Sequence, residues 1–431
     1  MTDSTQPTSN TGPTRRQVVA GATAATLAAS LPFARVAHAQ GSDTIKIALV
    51  GCGGRGTGAA SQAMHADKGV KLVAMADLFG DHIDNSLRNL NAADVKAQID
   101  PKVQKFVGFD SYKEAINECD VVLLTTTPHF RPMMVEEAVK QKKHMFVEKP
   151  VGTDAVNTIK CWEAAKKAKE AGLALVSGLC YRYEKGKQQV IERIQEGAIG
   201  EIVAMHTYYY TTFLWHRGRK PEWTEMEYQI RNWLYFTWLS GDHIVEQHIH
   251  SYDKCSWAMN NEYPVSAYGT GGRIRRNDPQ FGNIYDHFAI HFQYENGVVL
   301  HATCRQMDGC ENEITDYVVG RNGVANLQGH YIKYNNGKIF RVKRIPGDNM
   351  YQNEHDELFK SIRVGKPIYN GDYMCQSTLM GIMGREAAYT GKKITWEALM
   401  ASKQDLSPKG GYKWGDNEVE PVAIPGITKV V

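Results

Sequence analysis

The sequence has no CxxC pair, no HExxH and no other metal-ligand spacing among its eight cysteines and fifteen histidines, which excludes a zinc site or a disulfide framework read from spacing. Cys52, Cys119, Cys161, Cys180, Cys255, Cys304, Cys310 and Cys375 are scattered and read as reduced thiols buried as small hydrophobes, only Cys304 and Cys310 lying close enough to permit a disulfide. No charge of one sign dominates: 50 Lys and Arg against 47 Asp and Glu leave +3, so there is no electrostatic footprint for nucleic acid. Internal repeats and low-complexity linkers are missing as well. Beyond residue 39 no apolar run approaches the roughly 20 residues of a membrane span. What is present is ordinary for a globular protein, 42% apolar and 23% charged, and 431 residues exceed one hydrophobic core, so two domains are expected.

The first is announced by Ile45–Val50, a short apolar run with β-branched residues ending in Gly51-Cys52-Gly53-Gly54-Arg55-Gly56 before an alanine-rich helical stretch, Thr57 to Ala66. In this strand-turn-helix setting Gly51 permits the tight turn, Gly53 lets the backbone approach a pyrophosphate, and Gly56 lets helix pack on strand. A bare G-x-G-x-x-G is common. A second strand pattern, Val70–Ala76, adds weight by ending at Asp77, 21 residues past Gly56, where an acidic side chain accepts hydrogen bonds from the adenine ribose hydroxyls. Leu78 and Phe79 follow, with no adjacent Arg or Lys for a 2′-phosphate, which favours NAD over NADP.

Strand and helix patterns then alternate. Lys102–Val107, Val121–Thr125, His144–Val147 and Leu173–Ser177 read as strands; Ser111–Asn117, Met133–Lys140 and Thr158–Ala171 read as helices. This implies a doubly wound parallel sheet, an α/β Rossmann domain over residues 43–178. Thr126, Pro128 and His129 at the C-terminal end of the fourth strand then belong to the cofactor pocket. Residues 179–431 read as an α+β domain with a mostly antiparallel open sheet: strands at Glu201–Tyr210, Pro264–Gly269, Phe288–Tyr294, Val298–Cys304, Tyr317–Leu327 and Tyr331–Phe340.

Residues 1–39 carry Thr14-Arg15-Arg16-Gln17-Val18-Val19, a weakly apolar alanine-rich run broken by Gly21 and Pro32, and Ala37-His38-Ala39. This resembles a twin-arginine signal peptide with its cleavage site, so a periplasmic or exported location is expected, with no membrane segment in the mature chain. That route carries folded proteins. A cofactor loaded before export has to stay bound between turnovers.

Val147-Glu148-Lys149-Pro150 follows the fifth strand, and here the sequence resembles the Gfo/Idh/MocA family of sugar and cyclitol oxidoreductases, in particular its exported, glucose-fructose oxidoreductase-like members. The likeness runs through GCGGRG, MADLF, TTTPHFRP, HMFVEKPVGTD, GLCYRYEKG, IQEGAIGEIVAM, GDHIVEQHIHSYD and ELFKSIRVGKP. It implies that Gly51, Gly53, Gly54, Arg55, Gly56, Asp77, Leu78, Thr126, Pro128, His129, Glu148 and Lys149 contact the nucleotide. The family's EKP lysine, here Lys149, lies beside the nicotinamide and the substrate hydroxyl, suited to proton transfer. A second family signature, D-x-G-x-H on a helix, maps onto Glu246-Gln247-His248-Ile249-His250, with Glu replacing Asp and His248 replacing Gly. Glu246 and His250 are i and i+4, sharing a helix face with Asp242 one turn before and Asp253 one turn after. By its intrinsic acidity His250 suits the base that takes a hydroxyl proton, and Glu246 the group that holds it.

An aromatic-rich segment from Trp215 to Trp238 and the CYRYEKG stretch offer substrate contacts at Arg231, Trp233, Arg182 and Tyr183, since aromatic faces beside polar groups suit a sugar ring. The expected activity is hydride transfer between a tightly bound nicotinamide cofactor and a sugar or cyclitol hydroxyl in a homo-oligomer. The alternatives are a redox-neutral NAD-dependent glycoside hydrolase, working by oxidation, elimination, hydration and reduction, and a nucleotide-bound sensor without catalysis. Retention of Lys149 favours the dehydrogenase.

Overall fold

The computed structural model describes residues 43–429; the expected leader lies outside them. Six strands form the first sheet: β1 Ile45–Val50, β2 Val70–Asp77, β3 Ile99–Val107, β4 Val121–Leu124, β5 His144–Val147 and β6 Leu175–Ser177. Their order is β3-β2-β1-β4-β5-β6 and every pair is parallel. The central strands are buried on both faces, which is why Ile47, Ala48, Leu49 and Val121 to Leu124 form unbroken apolar runs. Strand order reverses between β1 and β4, the place where such sheets open a crevice at the strands' C-terminal ends.

Nine strands form the second sheet: β7 Ile202–Thr211, β8 Ser266–Gly272, β9 His287–Gln293, β10 Val299–Gln306, β11 Glu313–Gly320, β12 Gly323–Asn326, β13 Tyr331–Tyr334, β14 Ile339–Arg341 and β15 Ile394–Thr395, ordered β14-β13-β12-β11-β7-β10-β9-β8-β15. Only β7 and β10 run parallel; the other pairs are antiparallel. Strict alternation in β9 and β10 puts Phe288, Ile290, Phe292, Leu300, Ala302 and Cys304 on one buried face. The helices Ile249–Ala258 and Gly371–Thr390 contribute Tyr252, Cys255, Leu379 and Met383 to the same core.

Two expected strands are each divided. Residues 317–327 turn at Arg321 and Asn322 to make the β11–β12 hairpin, and residues 331–340 turn between β13 and β14. The later chain also returns to the first sheet. Leu358, Phe359 and Ile362 of the helix Met350–Arg363 pack in one core with Ile47 and Leu49, Arg363 pairs with Asp67 at 2.6 Å, and Tyr369 bridges Leu175. All eight cysteines are free thiols, and only Cys310 is exposed. No described helix is long and apolar enough to cross a membrane.

Candidate active site

A cavity of about 620 Å³ lies where the first sheet's crevice faces the second domain, a size ordinary for a small-molecule site. One end is built by the turn after β1. Gly51 has φ +94°, and a side chain there would meet the Thr125 backbone at 2.6 Å; a methyl on Gly56 would fall 2.0 Å from the Gly51 carbonyl oxygen. Both positions therefore demand glycine. Gly53 and Gly54 differ: a Cβ on either meets nothing within 4 Å, because it would project into free space. Both line the cavity at the start of the helix Gly54–Ala66, whose first turn carries no acidic residue. Unblocked amides at a helix N-terminus beside a cradle that any side chain would fill are a fit for a dinucleotide's diphosphate.

Asp77 ends β2 at the same cavity, its carboxylate accepting the N–H groups of Cys52 (2.6 Å) and Phe79 (3.0 Å), with His82 Nδ1 at 3.3 Å. Leu78 and Thr126 line the cavity too. Arg55 does so with three of its five N–H donors engaged: Nε on Glu148, Nη1 on Gln62 (2.8 Å) and Nη2 on Glu354 (2.8 Å). Pro128 and His129 are not on the wall. The short turn Pro128–Phe130 carries His129 into the interior, where Nε2 meets the Tyr412 hydroxyl at 2.9 Å and burial pushes the imidazole down to about 4.

At the other end Lys149, delivered by β5, donates from Nζ to Glu246 Oε1 at 2.8 Å and to the Glu246 carbonyl. Glu148 stays beneath it, one carboxylate oxygen taking the Lys149 N–H at 3.1 Å. Glu246, Lys149 and His250 all border the cavity. Glu246 and His250 do so from a broken helix rather than the continuous one expected: His243–Glu246 ends, and Ile249–Ala258 begins after Gln247 and His248. His250 is half-buried, its Nδ1 is enclosed with no hydrogen-bond partner, and the Tyr181 ring stands edge-on at 5.1 Å. Burial, reinforced by the charges of Lys149, Lys254 and Lys187, pushes its imidazole well below the usual histidine range. At neutral pH it is an uncharged base.

Four expectations around this centre are corrected by packing. Asp242 faces the core, with φ +72°, and receives the N–H groups of His243 (2.6 Å) and Tyr285 (2.7 Å) and the Tyr389 hydroxyl (2.6 Å). Burial works to raise its carboxyl, but the His243 imidazole at 2.8 Å, together with the Tyr389 and Tyr285 hydrogen bonds, prevails and holds it below the usual range. Asp253 faces away as well, clamping Arg182 through Nε and Nη2 at 2.8 Å, while Tyr373 lies 3.9 Å beneath the guanidinium. Arg182 is thus a buried structural cation, and Tyr183 is spent on Asn370 (2.6 Å), so neither reaches the cavity. Arg231 and Trp233 do reach it, but Arg231 sits over the Phe79 ring at 3.7 Å and 3.5 Å from Asp81, at the Asp77 end of the cavity. Trp233, with Trp215 at 6.4 Å and Arg217, forms the remaining aromatic wall. Phe109 and Tyr351 also line the cavity; they come from loops and helix starts with no motif around them. Among the described residues no group of three or more His, Cys, Asp or Glu is placed to hold a metal ion.

Comparison with known proteins bears on the family and the fold. Residues 45–176 match the oxidoreductase-family NAD-binding Rossmann domain and residues 188–326 the GFO/IDH/MocA C-terminal domain. The chain is 27% identical over 218 residues to 2,7-anhydro-N-acetylneuraminate hydratase of Escherichia coli, covering 51% of this chain and 50% of that protein. It is 23% identical over 275 residues to a glycosyl hydrolase family 109 protein of Shewanella pealeana, covering 62% and 57%. The match thus spans about half the length of these relatives. Among solved structures, levoglucosan dehydrogenase in complex with NADH and levoglucosan shares the fold with a TM-score of 0.65 at 16% identity, covering 82% of this chain and 99% of that one. Aldose-aldose oxidoreductase from Caulobacter crescentus does so with a TM-score of 0.64 at 18% identity, with the same coverage.

Proposed function

The chain belongs to the Gfo/Idh/MocA oxidoreductase family, and from that premise we propose that it transfers a hydride between NAD and a secondary hydroxyl of a sugar or cyclitol. One observation carries the reading: the glycine turn with Asp77 and the Lys149–Glu246–His250 group open into the same cavity. Gly53, Gly54 and the helix N-terminus would hold the diphosphate and Asp77 the adenine ribose. The Asp77 charge disfavours a 2′-phosphate, which supports NAD over NADP. When bound, the nicotinamide supplies the hydride acceptor. The protein's part is the proton. His250, neutral and without a partner on Nδ1, accepts the hydroxyl proton as the carbonyl forms. Lys149, held by Glu246, donates a hydrogen bond to the reacting oxygen, and Trp215 and Trp233 provide faces for the sugar's C–H surface. Export through the twin-arginine leader implies a nucleotide that stays bound, with one substrate reducing it and another reoxidising it.

The test is to purify the mature protein, assay denatured samples for nicotinamide nucleotide, and add inositols, aldoses and glycosides with no external cofactor. Reduced-nicotinamide absorbance rises and persists for the correct substrate and is lost in Lys149→Met. Protein free of nucleotide and unresponsive to supplied NAD overturns the proposal. The names of the hydratase and glycosyl hydrolase relatives favour a second reading, in which the sugar is oxidised transiently, eliminates, adds water and regains its hydride. Release of a leaving group without lasting absorbance selects it.

A further inference from the structure

Beyond residue 326, where the second matched domain ends, the chain contributes a further piece to the nucleotide end of the cavity. Past the short helix Trp396–Met400 it crosses the first domain in an extended path fixed at several points. The Leu406 N–H donates to Asp154 at 3.1 Å, and the Tyr412 hydroxyl meets His129 at 2.9 Å. The Gly415 carbonyl accepts from Met226 N–H at 3.0 Å, and Asn417 exchanges hydrogen bonds of 2.7 and 2.9 Å with the Gln229 side chain. Between these anchors the Trp414 indole lies against Phe109 (4.8 Å between ring centroids) and Phe79 (5.6 Å).

Phe79 and Phe109 are the aromatic walls of the cavity beside Asp77. Phe79 is therefore held by Trp414 and by Arg231, whose guanidinium is 3.7 Å from its centroid and 3.5 Å from Asp81. Trp414 itself remains 42% exposed, a large apolar side chain at the surface whose ring contacts are the two cavity phenylalanines.

We propose that residues 405–417 are a strap that retains the nucleotide: Trp414, acting through Phe79 and Phe109, and Arg231 fix the walls against which an adenine rests. The proposal rests on the nucleotide-binding reading above and adds to it the means of retention. Trp414 packs on both phenylalanines, so its indole restrains the two rings that wall the Asp77 end of the cavity. The anchors sit on two separate helices, Ala155–Glu170 through its capping Asp154 and Glu225–Arg231 through Gln229, so the strap lifts only by breaking several hydrogen bonds together. Trp414 is a positioning residue, acting at one remove from the nucleotide.

The experiment compares wild type, Trp414→Ala and Trp414→Leu. It reads nucleotide carried through gel filtration, and the rate of NADH release, followed by nicotinamide fluorescence on dilution into excess NAD. Losing the indole's two ring contacts speeds release by about tenfold or more, with binding stoichiometry at saturating NADH unchanged. Trp414→Leu, which keeps apolar bulk without the ring, falls between. Because Trp414 is 42% exposed and belongs to none of the buried cores, thermal melts of both variants stay near wild type, and the release rate reports the strap rather than the fold. Wild-type release rates in both variants overturn the strap. Absence of NADH binding to wild type itself overturns instead the nucleotide reading on which it rests.

Discussion

Replacing Arg55 with methionine should expose how strongly the nucleotide turn depends on a charge delivered from the far end of the chain. Arg55 bridges Glu148 and Glu354, and Glu354 is fully buried, with its second carboxylate oxygen unpartnered. Removing one partner of a buried ion pair costs about 3–5 kcal/mol, because the remaining charge has lost its compensation. Proton uptake by the abandoned carboxylate limits that cost, and this makes it depend on pH. Burial already pushes the Glu354 carboxyl well above its ordinary range, against the pull of Arg55. Without Arg55 it rises further, so the folded variant holds a proton that the unfolded chain releases above about pH 4.3. Stability is therefore lost as pH rises through the window between the unfolded and folded values, by about 1.4 kcal/mol per pH unit. In urea titrations followed by circular dichroism, the Arg55→Met deficit should be smallest at low pH, where Glu354 is protonated in both folded proteins, and grow toward about 3 kcal/mol or more at higher pH, where wild-type Glu354 ionises and the variant's does not. The double variant Arg55→Met, Glu354→Gln should recover the part of the deficit owed to Glu354 and lose its excess pH dependence, leaving the part owed to Glu148. A single variant within about 1 kcal/mol of wild type at the higher pH, or a double variant no better than the single, would show that the bridge does not hold the turn.

His250→Gln should lower kcat by about 10²- to 10⁴-fold, as loss of a general base does. Because burial and three nearby lysines keep His250 neutral, wild-type kcat/KM should stay level as pH falls through about 6.5 and decline only well beneath it; an acid limb centred at the ordinary histidine value would contradict that. Gly56→Ala and Gly53→Ala should separate folding from binding. The first places a methyl 2.0 Å from the Gly51 carbonyl oxygen and should cost about 1–3 kcal/mol in thermal or urea melts. The second meets no protein atom, so melts of the nucleotide-free protein should match wild type while calorimetric NAD affinity falls.

The parts of this molecule legible in its sequence are those that a backbone conformation or a buried run dictates locally. Ser111–Asn117 and His144–Val147 have the bounds their patterns predict, and the turn after β1 is marked by glycines because Gly51 needs a positive φ and Gly56 close contact. Helix starts are misread where turn-forming residues enter the first turn, so Gly54–Ala66 begins three residues before the expected Thr57. The division of residues 317–327 into β11 and β12 hides for the converse reason: Arg321 and Asn322 occupy only two positions between apolar runs. Spacing fails wherever it must choose a face. Asp253 lies one turn from His250 in sequence, yet its carboxylate is taken by Arg182, and a break at Gln247 and His248 removes the continuous helix from which the face was argued.

Arg55 shows what this limit does to chemistry. Beside a glycine turn, a cation reads as a phosphate ligand, and its position on the cavity wall agrees. Its partner Glu354, however, stands 299 residues further along, brought in only when the helix Met350–Arg363 packs on the helix Gly54–Ala66. With Glu148 and Glu354 both on its guanidinium, Arg55 has little charge left to offer a diphosphate. The anion must then be held by the helix N-terminus and the amides of Gly53 and Gly54, groups that carry no side chain and are insensitive to the charge partners that later segments supply. Nucleotide affinity should accordingly follow the geometry of the turn more closely than the charge of Arg55. In the Arg55→Met, Glu354→Gln pair, where the Glu354 part of the deficit is recovered without the cation, NAD should still bind, and a loss of affinity far exceeding any residual loss of stability would return Arg55 to the role its sequence position suggests.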